Sequence, residues 1–316
     1  IAGTLVTNLL NAVITKKMYP QIQPKGAVDN ETKNAIKKRL SGLIGTKLNS
    51  IVLHSADTIV TSAFLGLTLT AQYGNYYTIF NAVCGIIATL FASMSASIGN
   101  KLVTDSLEEN YAFFKRLSFI NSWIVSWCCV CFLCIYEPFM KVWMGDELCL
   151  GMGFVVCMAI YFYIYQIQKT VLTFKDAAGI WYADRFRPYV SMIINIISNL
   201  VLVQFIGIYG IVFSTILSFI ISLPWANKVL FDNIFKESSV SYLVAMLKNF
   251  VITAMLGCIT YCVCDICGEG VLGIIKRLII CLILPNILFA SVHYKSDEFH
   301  YWLEFIYDFK NRLIRR

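Results

Sequence analysis

The stretch KLNSIVLHSADTIVTSAFLG, Lys47–Gly66, is long and apolar enough to enter a bilayer, yet it carries a lysine, a histidine and an aspartate. Each residue of an α-helix advances by about 100°, so with Lys47 at zero, Ser50, His54, Asp57 and Thr61 fall near about 300°, 340°, 280° and 320°. They share one narrow face. Leu48, Val52, Leu53, Ile59, Val60 and Phe64 take the other side, between about 100° and 260°. A charged side chain at mid-bilayer costs at least about 2.5–3.5 kcal/mol, so the polar face is expected to meet a bundle interior or a water-filled path. Lys47 and Asp57 lie about 15 Å apart along the axis and cannot neutralise each other. His54, one turn from Asp57, is the nearest candidate partner. Two readings stay open for the stripe: an internal hydrogen-bond network, and a substrate or ion path.

The rest of the chain has the same character. Of 316 residues, 58% are hydrophobic and only 14% charged, with a mean hydropathy of +0.68, against about 25% charged in an ordinary soluble domain. Apolar runs of the length needed to cross a hydrocarbon core recur throughout. They place spans near 42–65, 75–99, 117–136, 149–172, 189–205, 208–227, 242–263 and 271–292. The expected class is therefore an all-α polytopic membrane protein with about eight complete transmembrane helices. Residues 1–15 are apolar but are followed by Lys16 and Lys17, the reverse of a signal peptide's order. We read them as the end of a truncated span, and the chain as the C-terminal part of a longer protein.

Charge gives the orientation. Cytoplasmic loops are enriched in Lys and Arg, and segments 16–41, 100–116, 169–188, 228–248 and the tail after 293 hold most of the 26 basic residues. The joints LGLTLTAQYG and VQFIGIYG have no charge, and EPFMKVWMGDELCLG has one Lys against three acids. The basic segments and the C-terminus are thus expected on the cytoplasmic side of the membrane. The net charge of +7 reflects membrane orientation, and no nucleic-acid partner is needed to explain it. Lys276 and Arg277 are the exception, about two turns into the last span, either snorkelling or facing a cavity. Residues 30–45, which begin inside the basic segment 16–41, read as a basic helix on the membrane surface, with Lys37, Lys38 and Arg39 meeting anionic lipid head groups. Arg185 and Arg187 have the same expected role. Residues 293–316 form an amphipathic cytoplasmic tail.

Other spans carry milder polar features. Asn75, Tyr76, Tyr77 and Asn81 open one span, Tyr161, Tyr163, Tyr165, Gln166 and Gln168 crowd another, and Asn195, Ser198 and Asn199 lie at helical spacing in a third. They suit either sugar hydroxyls or interhelical hydrogen bonds. Twelve cysteines include two CxxC pairs, Cys131 with Cys134 and Cys264 with Cys267. The first is expected to pack within its span, and the second to form a disulfide if its compartment is oxidising. No spacing completes a zinc site, so neither a metal nor another cofactor is expected. The chain lacks a P-loop, a dinucleotide turn and a nucleophile elbow, and its joints are short, which argues against an enzyme.

ADTIVTSAFLGLTLTAQYGNYYTIF (56–80) and DAAGIWYADRFRPYVSMIINIISNLVLVQFIGIYGIVFSTILS (176–218) resemble the bacterial polysaccharide flippases that export lipid-linked capsule or O-antigen units. These belong to the multidrug/oligosaccharidyl-lipid/polysaccharide exporter superfamily. The resemblance implies two six-helix bundles around a central cavity that works by alternating access. This chain would supply the second bundle, 42–227, and two additional C-terminal helices within 228–292. It also implies an undecaprenyl-diphosphate-linked oligosaccharide as substrate, H+ or Na+ as a coupling ion, and polysaccharide assembly proteins as partners. Lys47, Ser50, His54, Asp57, Thr61, Asn81, Gln166, Asn195 and Asn199 are the candidate path residues. A cation- or proton-coupled multidrug exporter of the same superfamily and a membrane-embedded glycan-modifying enzyme are the competing readings.

Overall fold

The computed structural model describes residues 2–21 and 26–314, without the side chains at positions 2, 54, 309 and 312–314. Among the described residues it is built of helices and turns, with no strand. The helices are α1 Ala2–Met18, α2 Asn30–Leu65, α3 Leu67–Thr104, α4 Leu107–Met144, α5 Met152–Ile167, α6 Lys169–Ala177, α7 Arg187–Ile206, α8 Ile208–Leu230, α9 Val240–Cys264, α10 Gly270–His293 and α11 Asp297–Ile314. Residues 1–38 and 39–316 form two separate units. The larger one carries the Asp57, Asp184 and cysteine clusters described below.

Among the described residues, seven segments are long and apolar enough to cross a membrane: 67–104, 107–144, 152–177, 187–206, 208–235, 240–267 and 270–293. The chain is a multi-pass membrane protein by this architecture. The expected span 42–65 is helical throughout but is not one of the seven, because its Lys, His, Asp, Ser and Thr lower its hydropathy. Helix α10 turns Ile275, Leu278, Ile279, Leu282, Ile283 and Ile287 outward, a surface suited to lipid.

Several boundaries differ from the sequence expectation. The surface helix expected over 30–45 does not end before the next element: α2 runs unbroken from Asn30 to Leu65. The joint LGLTLTAQYG contracts to the single residue Gly66, whose φ of 86° reverses the chain, and α3 begins at Leu67. Gly207, with φ 57°, turns α7 into α8 in the same way; residues with a Cβ resist this region. A capping box closes the α3–α4 turn: the Ser106 hydroxyl accepts from the Glu109 amide at 3.3 Å, and the Glu109 carboxylate accepts from the Ser106 amide at 2.9 Å.

The span expected over 149–172 is broken. Helix α5 ends at Ile167 and α6 starts at Lys169, with Gln168 between them. Carbonyls freed by such a break must find donors inside the membrane. The Asn121 amide of α4 supplies them, donating to Gln166 O at 3.0 Å and to Ile167 O at 3.2 Å.

Pro138, Pro224 and Pro285 pose the same problem, since a proline inside a helix leaves the carbonyl four residues earlier without its donor, and at the first and last of them a facing side chain answers it. Pro138 frees Cys134 O, which accepts from Arg277 Nη1 at 3.2 Å. Pro285 frees Cys281 O, which accepts from Trp127 Nε1 at 2.8 Å. These bonds cross-brace α4 and α10. They also settle the position of the basic pair: Lys276 is exposed, whereas Arg277 is buried against α4.

Packing falls into three clusters. The largest gathers α3, α4, α5, α7 and α8 with Leu53 and Val60 of α2. A second collects Phe114, Phe174, Phe231 and Phe235 at the end where the basic segments lie. The third joins α4, α9, α10 and α11 through Phe119, Cys134, Leu256, Cys281, Phe289 and Phe299.

Candidate functional site

Asp57 is the centre of a polar cluster built from four helices. It is 4% exposed. On one side, Asn199 Nδ2 donates to Oδ1 at 2.8 Å. On the other, the Tyr73 hydroxyl donates to Oδ2 at 3.3 Å, and Thr215 Oγ1 lies 3.3 Å from the same oxygen. A further layer holds these groups: Asn195 Nδ2 donates to Thr215 Oγ1 at 3.0 Å, and Ser214 Oγ donates to Asn199 Oδ1 at 2.6 Å. Thr61 Oγ1 donates back to the Asp57 carbonyl at 2.6 Å.

The local sequence explains the convergence. Asn195 and Asn199 are four apart on α7 and share a face. The Gly207 turn folds α8 back so that Ser214 and Thr215 meet them. The direct partners of the carboxylate are neutral, and among the described residues no Lys or Arg lies within ion-pair distance of it. The His54 side chain lies outside the described residues, and so does the expected His54–Asp57 pairing.

The oxygens here are hard donors: the Asp57 carboxylate, the Asn195 and Asn199 amide oxygens, Thr215 Oγ1, and Ile211 O, which lies 2.7 Å from Ser214 Oγ. Rotating the Asn199 amide by a half turn exchanges its NH2 for its oxygen, and which of the two faces a neighbour follows from what that neighbour is. Facing a bare carboxylate, the amide donates. Facing a bound monovalent cation, the same amide would present oxygen, completing an all-oxygen shell of the kind hard cations prefer. A proton on the carboxylate would be accommodated by the same switch.

The remaining candidate residues separate into groups. Asp57, Thr61, Asn195 and Asn199 are brought together, while Lys47 and Ser50 are exposed on the same helix and Asn81 is exposed on α3. The stripe on α2 is thus divided between a buried part and an outward part. Helix α2 buries the face that holds Gly42, Gly45, Leu53 and Val60, and Asp57 and Thr61 lie at its edge. Gln166 is buried at the α5–α6 break, away from the Asp57 contacts. Tyr161 and Tyr163 are packed, with Phe80 stacked on Tyr161 at 4.5 Å between centroids and the Tyr163 hydroxyl donating to Met246 O.

Lys37, Lys38 and Arg39 are exposed. Arg185 lays its guanidinium over the rings of Tyr182 and Phe186, at 4.0 and 4.4 Å. Arg187 departs from its expected role. Instead of meeting head groups it is 6% exposed and donates from Nε to both carboxylate oxygens of Asp184 at 2.8 Å. Asp184 also holds Lys175, so one buried carboxylate serves two buried cations. Sequence counting treats every loop arginine alike, and only the folded turn before α7 shows that Arg187 reaches back to Asp184, three residues earlier.

Tyr73, Ser214 and Thr215 were not singled out in the sequence. Ser214 and Thr215 are adjacent polar residues within an apolar span, which is a weak signal of an inward face. The cysteines were also read by spacing alone, and the structure regroups them: Sγ atoms of Cys134, Cys264 and Cys281 lie within 4.8 Å of one another. Compared with family models, with curated proteins and with solved structures, the chain finds no match.

Proposed function

We propose that this chain is a membrane flippase module that moves an undecaprenyl-diphosphate-linked oligosaccharide across the cytoplasmic membrane by alternating access, coupled to Na+ or H+ at Asp57. The observation that carries the reading is the Asp57 cluster. A carboxylate held by neutral hydroxyls and amides from α2, α3, α7 and α8 can exchange a cation or proton and change how four helices pack. A fixed ion pair could not do this. The broken α5–α6 segment supports it, since discontinuous helices recur at the moving parts of transporters. Lys47, exposed on α2, offers a cation to a diphosphate, and the exposed Lys37, Lys38 and Arg39 offer charge to lipid head groups. Rocking of the helices would carry head group and sugars past the polar interior while the lipid tail stays in hydrocarbon.

That no Lys or Arg among the described residues pairs with Asp57 also favours a second reading, a cation- or proton-coupled multidrug exporter. One experiment separates them. The gene encoding this chain is expressed in a flippase-deficient strain and in a drug-sensitive strain, as wild type and as Asp57→Asn and Lys47→Ala. Restored surface polysaccharide that is lost in both variants, at unchanged protein levels, supports the flippase. Drug resistance without polysaccharide export supports the exporter. Normal export by Asp57→Asn sinks the coupling role.

A further inference from the structure

We propose that Cys134, Cys264 and Cys281 form a binding site for a soft monovalent metal ion, Cu(I), at the junction of α4, α9 and α10. The three thiols come from three helices, are all buried, and have sulfurs within 4.8 Å of one another. Thiolate sulfur in this number selects Cu(I) over the hard cations suited to the Asp57 cluster.

The surroundings are those of a built site. The carbonyls of Cys134 and Cys281 are the two freed by Pro138 and Pro285, and each is held by a side-chain donor, Arg277 and Trp127. Both cysteines are thereby fixed from the facing helix. Arg277 is buried, with its Nε unbonded and, among the described residues, no carboxylate within 4.0 Å. Burying a lone guanidinium is costly. Cu(I) bound by two thiolates carries one negative charge, which Arg277, one turn before Cys281, would neutralise. Binding releases two protons, one from each of the two thiols that become thiolates. The third thiol stays protonated as a neutral neighbour.

A charged cavity lies beside the same three helices. A cavity of about 480 Å3 is lined by Glu137, Lys141, Asp146, Asp265, Glu269 and Arg277. Its walls flank all three cysteines in sequence: Glu137 is one turn beyond Cys134, Asp265 follows Cys264, and Arg277 precedes Cys281 by a turn. Four of its lining residues are acids, which favours a cation's approach to this end of the three helices.

The test is an anaerobic titration of the reduced full chain in detergent with Cu(I) buffered by bicinchoninate, followed by X-ray absorption of the loaded protein. The expected result is one Cu(I) per chain with sulfur-only coordination. Replacing any two of Cys134, Cys264 and Cys281 by Ser, which leaves one thiol of the cluster, should weaken binding at least tenfold. Cys258→Ser/Cys262→Ser, which removes exposed thiols of α9, should bind as wild type. Failure of the wild type to compete with bicinchoninate overturns the proposal, as does nitrogen or oxygen coordination or loss of binding in the Cys258/Cys262 variant. The wild-type measurements stand even if a cluster variant fails to fold.

Discussion

The buried ion cluster at Asp184 makes a quantitative prediction. Asp184 is 2% exposed and is the shared partner of Lys175 and Arg187, which are 3% and 8% exposed at their side chains. Replacing it by Asn keeps the size and removes the charge, leaving two buried cations without their direct counter-ion. Breaking a buried pair from one side costs about 3–5 kcal/mol, so Asp184→Asn should lose that much stability. Lys175→Met has a different arithmetic. It removes the second cation from a carboxylate still held by Arg187 through Nε and Nη2 at 2.8 Å, and it fills the space with a chain of similar length. Its cost should stay within about 1 kcal/mol, the range of a single hydrogen bond's net worth. Equilibrium unfolding in mixed micelles, with both variants and the wild type in the same detergent, measures the difference. If Lys175→Met is as damaging as Asp184→Asn, or if Asp184→Asn unfolds within about 1 kcal/mol of the wild type, then charge matching does not hold this segment and the reasoning fails.

Two further predictions concern packing and helix breaks. A Cβ added at Gly42 would lie 2.4 Å from Trp181 O and 2.6 Å from Trp181 C, backbone atoms that cannot swing aside. Gly42→Ala should therefore lower the melting temperature, whereas Gly85→Ala, with nothing within 4 Å, should raise stability by up to about 1 kcal/mol through helix propensity. Trp127→Phe removes the donor to the carbonyl freed by Pro285 and should cost about 1–3 kcal/mol. Adding Pro285→Ala restores the helical donor, so the double variant should recover part of that loss; a strictly additive double-mutant cycle would show that the Trp127 bond is not answering the proline.

The sequence by itself determined the helical class and most of the spans, because length and hydropathy are local properties that the chain carries whatever its neighbours. It also marked Asp57, Asn195 and Asn199, since a polar residue in an apolar run is conspicuous before any contact is known. What it could not contain is which faces meet. Tertiary structure decided that Asp57 is answered by α7 and α8, that Arg187 is buried against Asp184, and that Arg277 braces the carbonyl freed by Pro138. It placed Cys134, Cys264 and Cys281 in one cluster although CxxC spacing grouped them differently. Most of these are contacts between separate helices, and the Arg187–Asp184 pair, only three residues apart, depends on how the turn before α7 folds; helical periodicity fixes only the direction a side chain leaves its own helix. The partner it reaches depends on how the helices pack, and inside a membrane that packing is constrained by every buried polar group's need for a partner.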